Sequence, residues 1–179
     1  MMTRMIPAFA LGLGLMLTAP VAFAAPDKED AQALRSASVS LTQAIETAEK
    51  QGKGKALEAE FDTENGAGRY EIKVLAGQTV TEYAIDARSG QVVGSEQQTL
   101  ESWAKDLGLG ADASSLNTAR TTLSQAIGVA EQRAGGKAYE VDVESNDGAI
   151  QYEVSVLKGD QAQTVRVDGN NGTVVSASR

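Results

Sequence analysis

Leu41-Thr-Gln-Ala-Ile45 returns 82 residues later as Leu123-Ser-Gln-Ala-Ile127. The match runs on without a gap. Leu41–Ser95 lies against Leu123–Ala177, and 21 of the 55 positions are identical, so one folding unit has been duplicated rather than one composition reused. Gly54-Lys55-Ala56 matches Gly136-Lys137-Ala138, Tyr70-Glu71 matches Tyr152-Glu153, and Val92-Val93 matches Val174-Val175. Asp86 and Gly90 match Asp168 and Gly172. A long period present twice is a tandem domain, not a solenoid array.

Each copy opens as a helix. Ser40 and Thr122 are N-caps, and Gln43 and Gln125 stand three residues later, completing capping boxes. Leu41, Ala44, Ile45 and Ala48 recur at i, i+3, i+4 and i+7, the stripe of an amphipathic helix. Glycines at 52 and 54, and at 135 and 136, are expected to stop the helices. The period then changes to two. Leu57, Ala59 and Phe61 alternate with Glu58, Glu60 and Asp62. Tyr139, Val141 and Val143 alternate with Glu140, Asp142 and Glu144. Such alternation is that of half-buried strands. Asn65-Gly66 and Asp147-Gly148 are hairpin turn pairs. Tyr70, Ile72 and Val74 make a second strand, and Tyr83 and Ile85 a third, with a short Val-Val strand to close.

The fold class expected is therefore α+β: two tandem αβββ modules, each a helix packed on a small antiparallel sheet, joined by a helical linker. The boundaries are 39–95 and 121–179 for the modules and 96–120 for the linker. In the linker, Leu100, Trp103, Ala104 and Leu107 fall at helical spacing. Residues 25–38 are polar and are expected to be a flexible N-terminal segment.

Residues 1–24 read as a signal peptide. Arg4 precedes an apolar run from Ile6 through Leu17, and Ala22-Phe23-Ala24 offers small residues for cleavage. The run is short of the ~20 apolar residues of a membrane span and is broken by Pro7, Gly12 and Gly14. Removing 24 of 179 residues would leave 155, and losing Arg4 takes the net charge from −8 to −9. That balance speaks against nucleic acid, whose phosphates call for clustered basic residues. It speaks equally against anionic lipid. The expected destination is the periplasm or the extracellular space, with no membrane span after cleavage.

At these residues the sequence resembles a known family. The Ser/Thr-Leu-x-Gln-Ala-Ile start, the Gly-Lys after the helix, the Tyr-Glu-x-x-Val strand and the Asp-x-x-x-Gly-x-Val-Val ending are similar to those of PepSY domains. The second copy departs slightly, with Asp168-Gly-Asn-Asn-Gly172 where the family favours Asp-Ala-x-x-Gly. PepSY domains occur in propeptides of secreted metallopeptidases and as separate envelope proteins. The resemblance implies a non-catalytic module whose partner is a protein, in particular a secreted peptidase that it inhibits or regulates. An envelope sensor or accessory protein without inhibitory activity is the alternative, and oligomeric state stays open.

No cofactor and no catalytic residue is expected. With no His and no Cys, neither a Ser-His-Asp nor a Cys-His arrangement can be built. Zinc sites of those residues are equally absent. Paired carboxylates could serve a glycosidase, but acids alternating with core residues read as a solvated sheet face. No metal site is assigned. Weak calcium binding remains an alternative at the Asp168 turn, which lacks a glutamate at the twelfth position; Asp86 and Asp168 are expected to brace their own turns. The candidate partner-binding residues are Trp103, Glu58, Glu60, Asp142 and Glu144. Either the first strand or the Val-Val strand leaves a sheet edge open to a peptide.

Overall fold

The structure, a computed structural model, describes residues 26–106, 119–146 and 149–178. The signal-peptide reading, the Asp147-Gly148 turn and linker residues 107–118 lie outside them. In chain order the elements are α1 (Lys28–Ser36), α2 (Leu41–Gly52), β1 (Lys55–Glu64), β2 (Ala67–Ala76), β3 (Thr79–Asp86), β4 (Val92–Thr99), α3 (Leu100–Asp106), α4 (Leu123–Ala134), β5 (Lys137–Asn146), β6 (Ala149–Lys158), β7 (Gln161–Asp168) and β8 (Val174–Ser178).

The eight strands form one antiparallel sheet, in the order β4-β3-β2-β1-β5-β6-β7-β8. This replaces the expectation of two small sheets. The two repeats meet edge to edge where β1 pairs with β5, in the register Ala59↔Val141 and Glu60↔Glu140. Four strands belong to each repeat, because the Val-Val segments are full ladder partners of β3 and β7.

Local chemistry repeats with the sequence. Both capping boxes form, Ser40 with Gln43 and Thr122 with Gln125. Glu49 accepts the Ala56 N–H at 2.9 Å, and Glu131 accepts the Ala138 N–H at 2.9 Å. Tyr70 donates its hydroxyl to the Val39 carbonyl at 2.6 Å, and Tyr152 donates to Thr121 at 2.6 Å. Asn65 and Gly66 both adopt positive φ (53° and 77°), as a type I′ hairpin requires.

The helix ends differ from expectation in the first repeat. Gly135 takes the left-handed C-cap of α4, but Lys53, not a glycine, takes it after α2 (φ 52°). Gly54 and Gly136 are needed for space instead. A Cβ there would stand 2.1 Å from the Leu75 carbonyl oxygen and 2.4 Å from that of Leu157.

One sheet face is covered by α2 and α4, whose Leu41, Ala44, Ile45, Ala48, Leu123, Ala126, Ile127 and Ala130 are buried against strand residues such as Ile72, Val74, Val154 and Val156. The expected flexible segment, 25–38, is ordered over its described residues, 26–38. Asp27 caps α1 by accepting the Glu29 and Asp30 N–H groups, and Ala31 and Leu34 are buried. Helix α1 packs on β1 and β2 and crosses to the second repeat. There Lys137 Nζ donates to the Leu34 carbonyl at 2.8 Å, and Arg35 donates to the Gly159 carbonyl at 2.8 Å and pairs with Asp160.

The linker is corrected as well. Glu96–Thr99 continue β4, and the helix begins only at Leu100. Helix α3 packs on β3 and β4, with Leu100, Trp103 and Ala104 buried.

Candidate functional site

Strand alternation puts the second residue set of every strand on the face away from α2 and α4. In register, Glu58 lies beside Lys73, Lys73 beside Glu82, and Glu82 beside Glu96. The next row runs Ala84, Glu71, Glu60, Glu140, Ser155, Thr164, and so crosses from one repeat into the other. Asp142 pairs with Glu153, and Glu153 with Arg166. The edge-to-edge join thus gathers Glu58, Glu60, Glu140 and Asp142, two from each repeat, on the first strands of both.

Cations sit at the flanks of this cluster. Lys73 Nζ is 2.6 Å from Glu58 and 3.9 Å from Glu82. Arg69 pairs with Glu71 at 2.6 Å and also with Asp62 and Glu64. Arg166 pairs with the buried Glu153 and lies 3.6 Å from Glu144. The repeat explains the imbalance. Ser155 occupies the position of Lys73, so Glu140 lacks the partner that its counterpart Glu58 has.

Electrostatics follow from this arrangement. Burial pushes the Glu140 carboxyl up to about 8, with Asp142 and Glu60 adding to the rise and a Ser155 hydrogen bond opposing it. Burial pushes Asp142 up to about 7, with Glu58 and Glu60 contributing and Lys73 opposing. Glu60, although exposed at the surface of the seam, is raised by partial desolvation and then by Glu71, Glu58 and Asp62. Desolvation disfavours the charged form, and like-charged neighbours deepen the effect.

The five candidate residues are therefore placed as follows. Glu58, Glu60, Asp142 and Glu144 lie on one face, three of them at the seam and Glu144 at its flank. Trp103 joins them but is only 2 % exposed, and its indole N–H donates to Glu58 at 3.3 Å. It packs α3 against this face and is not a surface anchor; the helix carrying it begins one residue beyond an edge strand and folds back, which hides its apolar stripe. The acidic rows read in sequence as solvated faces, with Glu140 named in its row but left, with Glu153, out of the candidate set. The signal available was the divergence at matched positions, Lys73 against Ser155 and Ala84 against Arg166.

The sheet edges are now assigned. Strand β1 is central, and the outermost strands are β4 and β8. Each exposes its valines: Val93 by 63 % and Val175 by 51 %. Asp86 and Asp168 brace the preceding turns, each accepting two backbone N–H groups, from Arg88 and Ser89 and from Asn170 and Asn171.

In class, the chain is an α+β protein made of a repeated helix-and-meander unit, with an acidic seam at its centre and two open edges. The family described as "Peptidase propeptide and YPEB domain" (PepSY) matches residues 38–96 and 121–177, and the chain belongs to it. No curated protein matches the chain. Two solved structures are similar to it. A candidate lipoprotein (CD1622) from Clostridium difficile 630 shares 18 % identity, with a TM-score of 0.46 over 79 % of this chain and 93 % of the other. The Bacillus megaterium YpeB C-terminal domain shares 16 % identity, with a TM-score of 0.32 over 79 % of this chain and 66 % of the other.

Proposed function

We propose that this chain is an exported, non-catalytic protein-binding module that regulates a secreted or envelope peptidase by pairing an open sheet edge with an extended segment of its partner. The observation that carries this reading is the pair of outer strands, β4 and β8. Unpaired backbone donors and acceptors on such an edge form a template for an added strand, and the exposed valines supply apolar contact beside it. Strand β8, Val174-Val-Ser-Ala-Ser178, has none of the charges or prolines that commonly blunt an edge. Export is supported by the leader-like residues 1–24. Among the described residues no helix is long and apolar enough to cross a membrane. Membership of a family named for peptidase propeptides supports the peptidase partner.

The test uses the chain from Ala25 onward with purified secreted metallopeptidases of its host. Inhibition of at least one, weakened by Val93→Lys and Val175→Lys without loss of melting temperature, is expected. Binding without any change of peptidase activity would move the reading to an accessory or sensor role. Full inhibition by both lysine variants would refute the edge mechanism.

A further inference from the structure

The two repeats share one apolar core on the α2 and α4 face and are bridged by α1, and on the sheet they meet through a backbone ladder of two described residue pairs, one of which opposes Glu60 with Glu140. Like charges directly across an antiparallel pair are destabilising. Acids predominate around that pair. Glu58, Glu60 and Asp62 come from β1, Glu140, Asp142 and Glu144 from β5, Glu71 from β2, Glu82 from β3 and Glu153 from β6. Among the described side chains Lys73 on β2 is the cation nearest the seam and is held by Glu58, while Arg69 and Arg166 are held at the flanks. Helix α3 contributes the neutral indole of Trp103.

We propose that the β1–β5 seam is a proton-responsive joint: with Glu60, Glu140 and Asp142 protonated the two repeats sit as one sheet, and as these carboxylates ionise the seam loosens. The sign is fixed by linkage. The folded-state values of Glu140 and Asp142 are raised, to about 8 and about 7, above ordinary values of 4.5 and 3.8. Protonation then favours the joined state. That stability is complete below about pH 4 and is lost as pH rises through about 7 to 8. A loosened seam presents β1 and β5 as two more unpaired edges, so the joint sets how many edges the protein offers.

The test exploits the absence of cysteine. Lys50→Cys on α2 and Gln132→Cys on α4, both exposed and matched across the repeat, carry spin labels, and the distance distribution is measured from about pH 5 to about pH 9. A distribution that is narrow in acid and broad or longer in base, with the far-ultraviolet circular dichroism unchanged, is expected. Glu140→Gln with Asp142→Asn should hold the acid distribution throughout, and Lys73→Gln should enlarge the change. A wild-type distribution independent of pH overturns the proposal. So does a change that persists undiminished in the Gln/Asn variant, or one that appears only together with loss of secondary structure. Should the double variant fail to fold, Glu60→Gln, exposed on the same seam, is expected to reduce the change, and no reduction counts against the joint.

Discussion

Replacing Leu34 by alanine decides whether the N-terminal segment belongs to the fold. Leu34 is fully buried in a helix of nine residues. The change removes three carbons, worth ~0.8 kcal/mol per methylene, or about 2.4 kcal/mol by transfer alone. A cavity term adds to this, and measured Leu→Ala losses run to about 5 kcal/mol. Helix α1 lies at the periphery, against β1 and β2, with an open cavity of about 280 Å3 between it and the hairpin residues Gly66 and Gly68. It can settle inward, which argues for the lower half of that range, about 3 kcal/mol. For a domain of this size that corresponds to a fall in melting temperature of roughly 6–12 °C. Urea titration of the wild type and of Leu34→Ala, followed by circular dichroism, measures the difference, with Gln32→Ala on the exposed face of α1 as control. The control should stay within about 0.5 kcal/mol of the wild type. A loss at Leu34 no larger than that of the control would mean that residues 28–36 do not pack, and the reasoning from burial would fail.

Glycines in the second repeat should split in sign. Gly128→Ala, inside α4 with open space around it, should stabilise by about 0.5–1 kcal/mol. Gly136→Ala must displace the Leu157 carbonyl and should cost about 1–3 kcal/mol; chemical denaturation reads both. Tyr152→Phe strips the hydroxyl donated to Thr121 and should destabilise by about 1–2 kcal/mol in the same assay. Trp103 is the one tryptophan, so its emission should be blue-shifted in the folded chain and move red on unfolding. Red-shifted native emission would contradict its burial.

Much of each repeat could be read directly. The caps at Ser40 and Thr122, the stripes of α2 and α4, and the alternation of β1 and β5 are local patterns, and local hydrogen bonds and packing realise them as written. Other features were faint. Ala31 and Leu34 give α1 one apolar pair behind the Asp27 cap, too little periodicity to separate a helix from a polar tail. Glu96–Thr99 share the spacing of the helix that follows, yet pair with β3 because β3 offers a ladder along its whole length.

Sequence alone determined that the unit is duplicated, which residues face its core, and where its turns fall, since period and turn chemistry are properties of neighbours in the chain. The tertiary structure decided which strands are neighbours in space. Period-two alternation tells a strand which face is buried, but backbone donors and acceptors are the same along every strand, so nothing in the pattern says that β1 must meet β5. That single pairing buried the central edges, left β4 and β8 open, and set Glu60 opposite Glu140. A carboxylate read as solvated in each repeat became, by that meeting, half of a crowded pair.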